Sequence, residues 1–145
     1  MTEPLLVIDT NVVLDLLHFD DAIARPLRLA LEAGRVRCAV TDATLEEWRR
    51  VLAYPEFGLD STQQTALAAR YQALAEPAWT VEGDVGLPQC SDPDDQKFIE
   101  LAAAVRAQGL VSKDRAVLKL RRRCAPAFHV MTPAEAVRWL DKAMA

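Results

Sequence analysis

The feature that most constrains the fold is the alternation of short apolar runs with helical segments along the whole chain. Strand-length apolar runs occur at residues 4–8, 36–40, 109–112 and 127–131. Strands that alternate with helices pair in parallel, and the helices cover both faces of the sheet. We therefore predict an α/β fold with three α/β/α layers around a central parallel sheet of about four or five strands.

Helical spacing and capping residues fill the stretches between these runs. We expect helices at about 12–31 (with a break near 19–21), 42–54, 61–75, 93–108 and 115–123. A further short strand is predicted at 78–81, and a loop at 82–91. Thr132-Pro133-Ala134-Glu135 matches a capping box with proline at the first helical position, so we interpret Glu135 as a helix cap.

Length and composition favour a single domain over residues 1–145. No apolar run approaches the roughly 20 residues that a membrane span requires, and the first residues do not resemble a signal peptide. The net charge of −4 argues against a protein that coats nucleic acid by bulk attraction.

The cysteines and histidines give no sign of a zinc site. The three cysteines (Cys38, Cys90 and Cys124) are odd in number and widely spaced, and His18 and His129 lie far apart in the sequence. We interpret the cysteines as reduced thiols of a cytoplasmic protein.

Acidic side chains stand where several predicted strands end and the next helices begin. They are Asp9, Glu46, Glu47, Asp92, Asp94, Asp95 and Asp114. Because the carboxyl ends of parallel strands meet at one edge of a sheet, short right-handed connections would bring these groups together. Carboxylates gathered at one place repel one another unless a cation or a proton compensates. Oxygen ligands without histidine or cysteine suit Mg²⁺ or Mn²⁺.

Each acid also has a purely structural interpretation. Asp9 and Asp114 can cap a turn or a helix, and Glu47 can close a capping box with Thr44. Asp94 and Asp95 complement the dipole of the helix that they begin.

The acidic segments resemble the motifs of PIN domains. Residues 6–14 (LVIDTNVVL) resemble the opening of that family, and residues 44–52 (TLEEWRRVL) resemble its second motif. Residues 92–102 (DPDDQKFIELA) are similar to a motif of the branch identified as toxins of toxin–antitoxin systems. Residues 110–114 (LVSKD) resemble the family's L-V-T-x-D with Ser112 in place of threonine, and residues 131–135 resemble its closing T-P-x-E.

The resemblance implies a ribonuclease that hydrolyses phosphodiester bonds in single-stranded RNA. It implies that Mg²⁺ or Mn²⁺ is held by Asp9, Glu47, Asp95 and Asp114. Asp92 or Asp94 could take the place of Asp95, since three acids crowd that turn. Asn11 and Ser112 are the expected polar neighbours of the metal and its water. Family members often carry one more acid where this chain has Ala116, which leaves open whether one or two metals bind.

The expected partners are RNA, an antitoxin protein and a second copy of the chain. Lys113 and Arg115 flank Asp114 and are the candidates for contact with RNA phosphates. For a homodimer, the tryptophans Trp48, Trp79 and Trp139 are candidate interface residues, because aromatic side chains are enriched at interfaces.

Two alternative functions are also compatible with the sequence. A PIN-like fold could serve only as a module that binds RNA or a partner, and such a module would not need Mn²⁺. A haloacid-dehalogenase-like phosphatase also begins with an aspartate after a strand, but it requires a second aspartate where this chain has Asn11. Its lysine precedes the paired aspartates, whereas Lys113 follows Asp94 and Asp95.

Overall fold

The computed structural model describes residues 3–78 and 86–143, and the structural statements below refer to those residues. Its sheet has the strands β1 (Leu5–Ile8), β2 (Arg37–Val40), β3 (Ala75–Pro77), β4 (Gly109–Val111) and β5 (His129–Met131). All the strand pairs are parallel, in the order β3-β2-β1-β4-β5. The predicted α/β fold with a central parallel sheet is confirmed.

Helices cover both faces of the sheet. They are α1 (Thr10–Leu17), α2 (Arg25–Glu32), α3 (Asp42–Leu52), α4 (Ser61–Leu74), α5 (Gln96–Ala104), α6 (Arg115–Leu118), α7 (Arg121–Cys124) and α8 (Pro133–Ala143). Successive residues of a strand point to opposite faces. Leu6 and Ile8 accordingly pack with α1 to α4 and α8, while Val7 packs in a second core with α5 to α7.

The register of the central strands positions the functional edge. Ile8 at the end of β1 pairs with Val111 at the end of β4, and Val111 pairs in turn with Met131 of β5. The ladder continues one residue further, because the Asp9 N–H donates to the Val111 carbonyl at 2.9 Å. Asp9 and Ser112 therefore leave the sheet side by side.

The strand at the β2 edge was not predicted. β3 comprises Ala75–Pro77 and follows α4 directly, whereas residues 79–81 of the strand expected at 78–81, and the first part of the loop expected at 82–91, lie outside the described residues. Alanine, glutamate and proline are poor strand formers, and an edge strand tolerates them because only one side of it must pair.

Two predicted helices are shorter than their apolar spacing suggests. The helix expected to reach residue 108 ends at Ala104, since Arg106 takes a left-handed φ of 54° that no helix can continue. The helix expected at 115–123 is divided into α6 and α7. The capping box before α8 is confirmed, with the Glu135 N–H donating to Thr132 Oγ1 at 3.2 Å and the Thr132 N–H to Glu135 Oε1 at 2.9 Å.

The aromatic residues expected at a dimer interface differ in their placement. Trp48 is 1% exposed, so its assignment to an interface is wrong. Its ring packs edge-on against Tyr71, and its indole N–H donates to the Leu67 carbonyl at 3.3 Å. Trp139 is half-buried against the core, and Trp79 lies outside the described residues.

The cysteines are free thiols, as expected, and Cys38 and Cys124 are buried. Within the described ranges, no helix combines the length and the apolar character needed to cross a membrane.

A candidate metal centre at the carboxyl edge of the sheet

Asp9 occupies the junction between β1 and α1 without capping the helix. Its backbone is extended, and its side chain forms no helix-capping hydrogen bond, although the neighbouring Thr10 N–H donates to it. The carboxylate is only 4% exposed and accepts a hydrogen bond from Ser112 Oγ at 2.7 Å. The capping interpretation is therefore wrong for this residue, and its burial needs another explanation.

The surroundings of Asp9 disfavour its charged form. Burial is the largest cause, and the negative charges of Glu47 and Asp114 add to it. The hydrogen bond from Ser112 acts in the opposite direction. The net effect raises the pKa of Asp9 from 3.8 to about 6.

Three further aspartates form a compact group beside Asp9. One carboxylate oxygen from each of Asp92, Asp95 and Asp114 lies within 4.8 Å of the others. Asp95 is 8% exposed, and its Oδ2 is buried with no hydrogen-bond partner among the described residues. A buried carboxylate oxygen without a donor is costly unless a cation compensates it.

Two members of this group also have structural roles. Asp92 Oδ1 accepts from the Asp94 N–H at 3.0 Å in the 3₁₀ turn Pro93–Asp95, and Asp114 Oδ1 accepts from the Ala116 N–H at 2.8 Å. The capping interpretation of Asp114 is thus confirmed, and it coexists with membership of the acidic group. Asp94 is exposed and does not belong to the group.

Asp95 carries the strongest sign of electrostatic crowding. Burial is the largest cause that raises the pKa of its carboxyl group, followed by the hydrogen bond with Asp114 and the charges of Asp9, Asp114 and Asp92. An all-carboxylate set with one unpartnered oxygen fits a hard divalent cation such as Mg²⁺ or Mn²⁺.

Glu47 approaches Asp9 from α3, but its oxygens are engaged by protein donors. Glu47 Oε2 accepts from the Thr10 hydroxyl, and Glu47 Oε1 lies 2.6 Å from Lys97 Nζ. Arg50 Nη2 lies 4.0 Å from Glu47 Oε1. The capping box of α3 is formed by Thr41 and Thr44, so the interpretation of Glu47 as a capping residue is wrong. The neighbouring Glu46 is exposed.

Lys97 and Thr10 are components of the site that the sequence does not single out. Lys97 stands two residues after Asp95, and Thr10 directly follows Asp9. Both lie inside the sequence segments that carry the acids. That proximity is the sequence feature that could have identified them as site residues. Their link to Glu47 depends on the placement of α3 beside α5.

The remaining predicted residues surround the same edge. Ser112 is fully buried, whereas Asn11 Oδ1 accepts only a long bond of 3.4 Å from the Lys113 N–H. Lys113 Nζ pairs with the buried Asp15 at 2.7 Å, and Asp15 was not anticipated. Arg115 is exposed and forms no ion pair with the described residues.

Comparisons with known proteins place the chain in a family. The model of a family described as PIN domain matches residues 5–116. The crystal structure of VapBC2 from Rickettsia felis, bound to a DNA fragment from the promoter, contains a chain that superposes with a TM-score of 0.57 and 13% identity. The match covers 88% of this chain and 98% of that one, and its low identity makes it evidence of fold alone. The search of the curated proteins gives no match.

Proposed function

Because this chain belongs to the PIN-domain family, we propose that it is a metal-dependent endoribonuclease that hydrolyses phosphodiester bonds in single-stranded RNA. Family membership supports a nuclease in general. The observation that carries the finer proposal is the buried Asp95 Oδ2, which has no hydrogen-bond partner in the described part of the chain and lies inside a group of carboxylates. Such an arrangement is expensive in a protein that does not bind a cation there.

In this proposal the metal ligands come from Asp9, Asp95 and Asp114, with Asp92 and Glu47 next to them. The candidate ions are Mg²⁺ and Mn²⁺. Either ion, when bound, would lower the pKa of a water nucleophile and offset negative charge that develops on the phosphate. The low exposure of Asp9 and Asp95 keeps bulk water from screening these charges.

The protein's own contribution is to hold the carboxylates in place. Ser112 fixes the Asp9 carboxylate with one hydrogen bond and accepts another from the Asp114 N–H, so two ligands share one anchor. Asp9 follows a buried strand directly, which limits its movement further. We assign Asn11 and Ser112 the role of polar neighbours to the metal and its water.

Substrate binding is proposed for the cations that flank Asp114. Arg115 is exposed at the start of α6, and its guanidinium can donate to a phosphate in bidentate fashion. The Lys113 ammonium group acts as a single positive charge and is paired with Asp15, so it can approach a phosphate only by weakening that pair. We therefore expect Lys113 to contribute less than Arg115.

The biological role that we propose is that of a cytoplasmic toxin that is neutralised by an antitoxin. The motif resemblance and the fold similarity to a chain of VapBC2 support this role. We also propose a homodimer. Light scattering across a wide concentration range tests the dimer, and a gene for a short DNA-binding protein directly upstream would support the antitoxin.

The catalytic proposal is tested by incubating the purified protein with structured and unstructured RNA, in Mn²⁺ or in EDTA. We expect cleavage of unstructured RNA in Mn²⁺, no cleavage in EDTA, and loss of cleavage in the Asp95→Asn variant. RNA binding without cleavage under every condition would instead support the PIN-like binding module. Cleavage that persists in EDTA would contradict the metal mechanism.

A further inference from the structure

Lys97 lies within the acidic site rather than at its rim. Its ammonium group is 2.6 Å from Glu47 Oε1 and 2.7 Å from the Asp94 carbonyl oxygen. The side chain of Lys97 is 25% exposed and that of Glu47 is 11% exposed, so the pair is largely removed from water. An ion pair in such a position is held more firmly than a surface pair.

The pair divides the acids of the site into two sets. Glu47 is satisfied by protein donors on both oxygens, by Thr10 and by Lys97. Among the described residues, no lysine or arginine lies within ion-pair distance of the Asp92, Asp95 and Asp114 group, and Asp95 Oδ2 has no hydrogen-bond partner. One set is therefore compensated by a lysine of the chain, and the other set is left to a proton or an external cation.

Lys97 also connects two elements of the site. It belongs to α5, and it reaches back to the Asp94 carbonyl in the turn that carries the aspartates while it binds Glu47 on α3. The nearest other cation, Arg50, lies 4.0 Å from Glu47 with 57% of its side chain exposed, so it is a poor substitute.

From this arrangement we propose that Lys97 is a positioning residue that acts as the internal counter-cation of Glu47 and thereby sets the affinity of the site for its divalent metal. The ammonium group offsets the negative charge of Glu47 and holds its carboxylate beside the other acids. The net negative charge that faces the ion therefore depends on Lys97. This inference rests on the proposed function only in requiring that the acidic group bind a divalent ion.

The test is Mn²⁺ binding by isothermal titration calorimetry on the full chain, without RNA. Lys97→Met leaves the Glu47 carboxylate uncompensated, so we expect Mn²⁺ to bind about threefold to tenfold more tightly, as one unit charge in a partly exposed site implies. Glu47→Gln leaves the ammonium unpaired and should weaken binding by a similar factor. The double variant restores neutrality and should return to within about twofold of the parent, because the two charges are coupled.

Two control variants isolate the effect of this pair. Lys97→Arg keeps the charge and should bind Mn²⁺ like the parent. Lys142→Met removes one positive charge at the exposed end of α8, far along the chain from the site, and should leave the affinity unchanged. If Lys97→Met does not fold, as judged by circular dichroism, Lys97→Gln takes its place: it also removes the charge, keeps a donor for Glu47 and the Asp94 carbonyl, and should again bind Mn²⁺ more tightly than the parent.

The outcomes separate this inference from the proposed function. A parent protein that binds no Mn²⁺ contradicts the metal centre itself. A parent that binds Mn²⁺, with Lys97→Met binding equally or more weakly, leaves the metal centre intact and overturns the role of Lys97. A Glu47→Gln variant that binds as tightly as the parent overturns it as well.

Discussion

Ser112 and Asp9 share a buried hydrogen bond, in which the Ser112 hydroxyl donates to Asp9 Oδ2 at 2.7 Å. The same hydroxyl oxygen accepts from the Asp114 N–H at 3.0 Å. The residues are 103 positions apart, and the pairing of Ile8 with Val111 brings them together. One small side chain thus orients two acids of the candidate metal centre.

Removal of this hydroxyl is predicted to affect both stability and acidity. Ser112→Ala leaves a buried carboxylate oxygen and a backbone N–H without their partner, which should cost about 1–3 kcal/mol of unfolding free energy. Because the bond from Ser112 favours ionised Asp9, its loss should raise the pKa of Asp9 further. Urea denaturation measures the first effect, and NMR titration of the Asp9 carboxyl measures the second. Ser112→Thr retains the hydroxyl and serves as the control; an equal loss in both variants would point to packing instead.

The stability of the metal-free protein should fall as the pH rises. An unfolded Asp9 releases its proton near pH 3.8, whereas the folded protein holds it to about 6. Between these values the folded state binds more protons, so a higher pH favours unfolding. The unfolding free energy should fall by roughly 3 kcal/mol, and the fall is complete once the pH exceeds the pKa of Asp9 in the folded protein. The raised pKa of Asp95 acts in the same direction.

Denaturant titrations in EDTA, at about pH 4 and about pH 7, check this prediction by comparison with Asp9→Asn. The variant lacks the titrating group, so its stability should decrease less between the two pH values. A decrease of the same size in both proteins would assign the effect to other groups. Saturating Mn²⁺ should reduce the decrease in the parent, since the ion binds the ionised carboxylates.

The parallel sheet could be predicted because buried strands appear in the sequence as short apolar runs. Leu5–Ile8, Arg37–Val40 and Gly109–Val111 lie where those runs predict strands. The strand Ala75–Pro77 could not be predicted, because an edge strand is selected by its neighbour β2 rather than by its own side chains. The end of α5 also depends on the left-handed backbone of Arg106, and arginine is not a residue type that predicts this conformation.

The acids of the site could be predicted from their place after strands, but their division of labour could not. An aspartate after a strand looks the same in the sequence whether its side chain caps the next helix, as that of Asp114 does, or forms no capping bond, as that of Asp9 does. The pairing of Glu47 with Lys97 spans 50 positions and depends on the packing of α3 beside α5. Such long-range electrostatic partners leave no local pattern in the sequence.

A helix cap outside the site gives a contrasting prediction. Thr132→Ala removes the side-chain acceptor for the Glu135 N–H, so it should cost about 1 kcal/mol of unfolding free energy. The Thr132 hydroxyl bonds to Glu135 and, among the described residues, forms no hydrogen bond with the acidic group, so RNA cleavage per folded molecule should not change. Thermal denaturation and an RNA cleavage assay, at a temperature where both proteins are folded, measure the two quantities. A loss of cleavage without a loss of stability would contradict this assignment.

The last prediction concerns the role of Asp9 in RNA cleavage. Asp9→Asn keeps the shape of the side chain but removes one negative charge, so affinity for Mg²⁺ should fall and cleavage should drop by about 100-fold or more. The metal-free variant should also be more stable than the parent at neutral pH, because a buried charge beside Glu47 and Asp114 is gone. Asp141→Asn makes the same change at the exposed end of α8 and should alter neither quantity. If purified Asp9→Asn cleaves RNA as fast as the parent at equal Mn²⁺, the cleavage arises elsewhere and the proposed mechanism is wrong.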